Sequence, residues 1–397
     1  MNQPNVNKLP LNEIVLSKVL KNKNIELKDA DPDKLSEELS GSFINCEPDR
    51  IARMLESLDR PIVLCKSAAS IDFDKTPSVT YYIDDLLTEG VTMINSIAKG
   101  GKSRLLLQEA LEICKGGRFL GRNCHKTDVL YLALEDERID FENRLQLFLR
   151  GSPAPDNLYY ATAEDFNYQP PTLEQGQLIT LLEENLKPHP EIKVILIDVF
   201  GVIRSKPMKG ENFTDHERRD LQTLLRFAGK HPGLAIVIAH HVSKTGKRLG
   251  NLEAIGSGAG SYVISGTIHT EMLLQKGETE RERVLSIEGR RIPSQKFVLL
   301  DDYPRWKYAG SKDDYDRANS PLYLTIKRIL EENNGLWKGT YSQIIELNRE
   351  YTNISNISKS LNKNTFRGAT LNDLQALGIA YKEIKNGKGV LHEFKLL

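Results

Sequence analysis

From residue 81 onward, short unbroken aliphatic runs alternate with longer stretches whose apolar positions recur at helical spacing. The runs are Val91–Ile97, Val129–Leu134, Val194–Asp198, Ala235–Ala239, Met272–Leu274 and Val284–Ile287. Runs this short, free of polar alternation, fit strands buried on both faces, which predicts an α/β domain with a parallel sheet covered by helices. Residues 1–60 read differently, being rich in Asn, Lys, Asp and Glu, with helical patterns only around Leu11–Leu20 and Asp49–Leu58. Ile51, Met54, Leu55 and Leu58 form one stripe there, so residues 1–65 are expected to form a small helical accessory domain and 66–80 a linker.

Past the core (81–310), a polar linker (311–320) leads to a different module at 321–397. Leu322, Ile326, Ile329 and Leu330 fall on one helical face. Thr340 reads as the N-cap of a second helix carrying Ile344, Ile345 and Leu347, and a third helical stretch near Leu371–Leu377 ends at Gly378. Asn386-Gly387-Lys388-Gly389 then joins two strand-like runs as a hairpin. Three helices and a terminal hairpin resemble a winged helix-turn-helix.

Composition changes this picture little. Over 397 residues, 54 Lys and Arg balance 54 Asp and Glu, so any basic surface must be local. From Thr340 onward, eight basic residues stand against five acidic ones; they include Arg367, Lys385 and Lys388 in the recognition and wing region. That local excess suits duplex DNA, with a protein-binding winged helix as the alternative. Cys46, Cys65, Cys114 and Cys124 follow no metal-ligand spacing and read as reduced thiols. No run approaches the roughly 18 apolar residues of a membrane span, so a cytoplasmic or nucleoid-associated setting without membrane contact is expected.

The chemistry is concentrated at the ends of the apolar runs. The first run enters Ser96-Ile97-Ala98-Lys99-Gly100-Gly101-Lys102-Ser103-Arg104 and then a helix, the strand–loop–helix context of a phosphate-binding loop. Loop N–H groups would cradle phosphates, Lys102 would reach the β/γ oxygens of ATP, and the Ser103 hydroxyl would hold Mg²⁺. The pattern GxxxxGK[ST] places glycine where this chain has Ser96. Two further runs end in acids. Asp198 follows four aliphatic residues and suits the Mg²⁺ shell; Glu135, beside Asp136, suits polarisation of the attacking water. Another run ends in His240-His241, a pair placed to sense the terminal phosphate.

In this order, the glycine loop, YLALEDE, LIDVF and VIAHHVSK resemble the RepA-type hexameric replicative helicases, of the RecA/DnaB/KaiC branch of P-loop ATPases. The likeness spans roughly Tyr81–Tyr308. It implies a RecA-like core, a homo-oligomeric ring (usually a hexamer) with ATP between subunits, single-stranded DNA in the channel, and contacts with other replication proteins. By position it implies Lys102 and Ser103 as phosphate and Mg²⁺ ligands, Glu135 as catalytic base, Asp198 as the Walker B acid and His241 as sensor. Channel loops would be Gly201–Glu217 and Val242–Ser261, with Arg204, Lys206, Lys209, Lys244, Lys247 and Arg248 gripping phosphates. Where relatives carry an arginine after the sensor, this chain has His269, so Arg290, followed by Arg291, becomes the candidate for the finger that completes a neighbour's site. The expected activity is that of an ATP-driven DNA helicase of a plasmid or mobile element. The alternatives are an ATP-dependent regulator or helicase loader without unwinding, and a recombination ATPase.

Overall fold

A computed structural model of the protein describes residues 9–10, 13–39, 43–44, 47–58, 67–241, 266–352, 374–387 and 389–397. It divides into two compact units, 1–77 and 78–397.

In the first unit, α1 (Glu13–Asn22), α2 (Pro32–Leu39) and α3 (Pro48–Leu58) bury Leu16, Leu20, Leu35, Leu39, Ile51 and Leu55 against one another. Two of these helices match the sequence reading. The eight-residue α2 escaped it because only Leu35 and Leu39 turn inward.

The second unit centres on a nine-stranded sheet. Its parallel part comprises β1 (Gly90–Ser96), β2 (Asp128–Ala133), β3 (Leu158–Thr162), β4 (Ile192–Asp198), β5 (Ala235–His241) and β6 (Thr270–Lys276). Three antiparallel strands follow: β7 (Glu282–Gly289), β8 (Gln295–Asp302) and β9 (Arg305–Ser311). The spatial order is β9-β8-β7-β6-β1-β5-β4-β2-β3, with β1 between β6 and β5. The expected parallel sheet is present and is extended by an antiparallel edge. The meander β7–β9 can be antiparallel because its connections are short turns, whereas each parallel crossover needs a helix.

Helices cover both faces. On one, α4 (Lys102–Lys115) and α5 (Arg138–Leu149) bury Leu105, Leu106, Phe141 and Phe148, together with Phe297 and Trp306 of the meander. On the other, α6 (Gln177–Leu186), α7 (Phe200–Ile203) and α8 (Phe213–Lys230) bury Leu178, Leu182, Phe200, Leu221 and Leu224. Every residue of β1 is buried, as its unbroken apolar run requires of a strand with neighbours on both edges and helices on both faces.

The segment read as a linker at 311–320 is instead a helix, α9 (Lys312–Ala318). Ser311 caps it by accepting from the Asp314 N–H, and Asp313 and Asp314 occupy its first turn, so its polar composition is that of an exposed helix start. Beyond it, α10 (Pro321–Glu332) and α11 (Tyr341–Thr352) pack on a three-stranded antiparallel sheet. Its strands are β10 (Leu336–Gly339), β11 (Ile379–Asn386) and β12 (Gly389–Leu396), in the order β10-β12-β11. Thr340 caps α11 as expected, in a reciprocal pair with Gln343. The hairpin lies where the Asn-Gly turn predicts it. Of the third helical stretch, 374–377 is described, with 374–376 helical and Leu377 in the turn that follows. Among the described residues, no helix is long and apolar enough to cross a membrane.

Candidate nucleotide site

The carboxyl ends of β1, β2, β4 and β5 share one edge of the sheet, where an open α/β fold binds ligands. Register places Ser96 beside His241, and Asp198 beside Ala133 at the end of β2. Residues separated by a hundred positions in the chain thus become neighbours.

At the end of β1 the chain turns through Ile97–Gly101 into α4. Gly101 caps that helix with φ 97°, a left-handed conformation that favours glycine. A Cβ on it would lie 2.5 Å from Cζ2 of Trp306. Gly100 is constrained by contact instead: a Cβ there would sit 2.0 Å from Ser96 Oγ and 2.9 Å from the Ile97 carbonyl. Ser96, the departure from the glycine consensus, is accommodated because Gly100 has no side chain. Its Oγ is buried without a hydrogen-bond partner.

Lys102 is buried, and its Nζ donates to the carbonyls of Ser96 and Ile97, each at 3.2 Å, and to Nδ1 of His241 at 3.0 Å. An ammonium can only donate, so Nδ1 is the accepting nitrogen and Nε2 carries the imidazole proton. That Nε2 lies 3.5 Å from Glu135 Oε2, on an exposed side chain. Burial lowers the Lys102 pKa to about 8, against the opposing pull of Asp198 and Glu135. Asp198 lies beneath, bonded to the Ser103 hydroxyl and accepting from Tyr131 Oη at 3.2 Å. Burial raises its pKa, Asp136 adds to this, and the two hydroxyls oppose it.

The predicted residues Lys102, Ser103, Asp198, Glu135 and His241 are therefore brought together. Asp136, the rival to Glu135, is held by both Arg144 nitrogens at 2.8 and 2.9 Å and faces away from that role. A hydroxyl beside a buried carboxylate, next to a phosphate-type loop, is a donor set that fits Mg²⁺, which takes a few protein oxygens together with waters and phosphate. The described residues contain no dedicated His/Cys/Asp/Glu metal cluster, and a nucleotide-bound Mg²⁺ needs none.

Several predicted residues lie elsewhere. Arg104 turns from the loop to the β8–β9 turn: Nε donates to the Pro304 carbonyl at 2.9 Å, Nη2 to Asp301 at 2.7 Å, and the guanidinium lies 4.4 Å from the Trp306 ring. Its place among the phosphate contacts can be through the backbone alone. Arg204 is drawn inward, over the Phe213 ring and bonded to His216 at 2.9 Å, and is not a solvent-facing phosphate grip. Lys206 and Lys209 are exposed on the same loop, and Lys385 on β11 is exposed as well. Arg290 is exposed and donates to the Gly266 carbonyl at 2.5 Å; Arg291 pairs with Glu89. Both follow β7, whose end pairs with Thr270 and, through it, Thr92. They occupy the end of the sheet away from the loop, so neither serves the site of its own chain. Lys244, Lys247, Arg248, Arg367 and Lys388 lie outside the described residues.

Two supporting residues escaped the sequence reading. Tyr131 was readable in principle, since strand alternation puts it on the face of Ala133, towards α4. Trp306 was not. It donates from Nε1 to the Gly101 carbonyl at 3.3 Å, and its backbone exchanges two hydrogen bonds with the Gln108 amide, 3.0 and 2.8 Å.

This geometry is that of a phosphate-binding loop at the carboxyl edge of an α/β sheet. The sequence from 60 to 247 matches the family model described as AAA domain. No curated protein gives a significant match. Among solved structures, one described as an ATPase domain aligns with 56% of this chain and 85% of its own at 11% identity, with a TM-score of 0.42.

Proposed function

We propose that the protein is an ATP-dependent DNA helicase or translocase of a plasmid or mobile-element replication system. It would work as a ring, usually a hexamer, with ATP at subunit interfaces. The observation that carries this reading is the convergence of Lys102, Ser103, Asp198, His241 and Glu135 at the edge from which the chain leaves β4 and β5. One of those exits bears Lys206 and Lys209 and the other Lys244, Lys247 and Arg248, so phosphate chemistry and a cationic grip share a scaffold.

ATP with Mg²⁺ would supply the scissile phosphoanhydride and the charge that neutralises it. The chain's own groups do the rest. Lys102 exchanges neutral carbonyl and imidazole acceptors for anionic oxygens, which are stronger partners. The exchange frees Nδ1 of His241, so His241 responds to the terminal phosphate by losing its lysine. Glu135 orients and deprotonates the attacking water, and Asp198 with Ser103 holds the metal. Arg290, remote from its own site, is offered as the finger to a neighbour's. The C-terminal module, read as a winged helix, is assigned to duplex DNA through Lys385 and the wing.

Lys102→Ala should abolish ATP hydrolysis, at least a hundredfold, without lowering Tm, because it removes a buried charge from an apo site that offers it only neutral acceptors. Normal turnover by this variant would end the assignment. Unwinding of a forked duplex separates the readings: DNA-stimulated ATPase with no strand separation would make the protein a loader or regulator, and stable filaments on DNA would point to a recombination ATPase.

A further inference from the structure

Each strand end at the site has two faces. Of the histidine pair expected to sense the terminal phosphate, only His241 faces Lys102; His240 turns to the opposite side of the sheet, edge-on to Phe200 at 5.5 Å between ring centres, and lies outside the nucleotide site. The carbonyl of Ser96 holds Lys102, and its neighbour Asn95 is the register partner of His240. Asn95 is buried and donates to Glu271 at 2.6 Å, while its Oδ1 lacks a hydrogen-bond partner. Beyond His240, on α8, lies Glu217, 1% exposed, with neither carboxylate oxygen hydrogen-bonded. Its Oε1 is 3.7 Å from His240 Nε2 and 3.9 Å from Arg204 Nη1. The adjoining Ser205 is fixed to α8 through Asp220 and His216: Oγ donates to Asp220 at 2.5 Å, and its carbonyl is 2.8 Å from His216 Nε2.

A buried polar row therefore crosses the sheet beneath the phosphate site. It starts at Asn95, one residue from the lysine's anchor, and ends at Arg204, two residues before Lys206. Buried carboxylates normally have their hydrogen bonds made. Here a displacement of roughly 0.8 Å for His240, or roughly 1.0 Å for Arg204, would reach the ~2.9 Å of a charge-assisted bond. The row is thus held just short of closure on an element, β5, whose last residue contacts Lys102. Packed interiors convert small shifts of this kind into discrete rearrangements.

We propose that Asn95, His240 and Glu217 are positioning residues that pass the state of the phosphate site to the segment bearing Lys206 and Lys209. The proposal rests on the reading of the protein as a DNA-dependent ATPase. Glu217→Gln, which keeps the shape and removes the ionisable carboxyl, and His240→Asn should be measured for basal ATPase, ATPase with oligothymidine, and oligothymidine affinity with and without a non-hydrolysable ATP analogue. Both variants should keep basal kcat and KM within twofold. Stimulation by the oligonucleotide should fall at least fivefold, and the analogue should no longer change DNA affinity. A merely structural role would lower Tm and scale basal and stimulated rates together, and that result, or undiminished stimulation, overturns the proposal. Should Glu217→Gln not fold, His240→Asn decides. If the wild type itself is not stimulated by DNA, the functional reading fails along with the coupling; stimulated wild type with equally stimulated variants fails the coupling alone.

Discussion

To one side of β1 lie the parallel strands β5, β4 and β2; to the other, beyond β6, lies the antiparallel meander β7–β9. The parallel side delivers charge: Asp198, Glu135 and His241 stand at strand ends because parallel strands must all finish at one edge. The meander delivers form. Trp306 closes on Gly101, Arg104 reaches across to Asp301 and the Pro304 carbonyl, and Gln108 ties the backbone of β9 to α4. Reactive groups and the device that shapes their loop thus come from opposite sides of the same strand. The two contributions should fail differently when disturbed.

The sharpest separation comes from Glu135→Gln. Glu135 is exposed and, among the described residues, meets the site through a 3.5 Å approach to His241 and a weak electrostatic pull on Lys102, so stability and nucleotide affinity should barely change. Turnover should fall by about 10²–10⁴, the usual contribution of a positioned base. Steady-state ATPase beside equilibrium binding of a fluorescent nucleotide would check this. Full turnover would move the base elsewhere, with Asp136 excluded by its Arg144 clamp.

Trp306→Ala tests the other side. It empties a buried position under Gly101 and strips Arg104 of its ring, and truncations of this kind cost about 3–5 kcal/mol. The expectation is a lower Tm together with weaker nucleotide binding, and little change in turnover once the site is saturated. If kcat fell as steeply as with Glu135→Gln while Tm held, the division between chemistry and form would be wrong.

The same division explains what the sequence made legible. Glu135, Asp198 and His241 could be singled out because each stands at the end of an apolar run, and Lys102 and Ser103 because a glycine loop follows one; both patterns are local. Five of the six parallel strands were legible for the same reason; β3 was not, because Leu158–Thr162 carries two tyrosines and a threonine instead of an unbroken aliphatic run. Of the meander, Val284–Ile287 announced β7, but β8 and β9 carry Asp301, Asp302, Arg305 and Lys307, so half their positions are polar and the runs look like loop. Trp306 has no local signature, since its role depends on a partner two hundred residues earlier. The charge of Arg204 was read correctly, but its destination was not. What turned it inward is the carboxylate pair Glu217 and Asp220 on α8, which sequence spacing showed only as helix polarity.

A smaller effect would sharpen the charge side further. Burial depresses Lys102 to about 8, below the 10.5 of an exposed lysine. Between those values the unfolded chain binds the proton that the folded apo protein has released, so this group makes stability rise with pH there. Nucleotide binding runs the other way, because anionic oxygens require the charged form. Affinity should be nearly flat below about pH 7.5 and weaken by roughly fivefold from pH 8 to 9, since the protonated fraction falls from about one half at the pKa to about one eleventh a unit above it. Lys102→Arg should bind more weakly overall but show no such slope, its guanidinium staying protonated throughout. Equilibrium titration of a nucleotide analogue across this range reads both curves. A wild-type profile as flat as that of the arginine variant would mean that the loop carbonyls and Asp198 keep Lys102 charged despite its burial. In that case the exchange of its partners, and not the recovery of its proton, would set the energetics of phosphate binding.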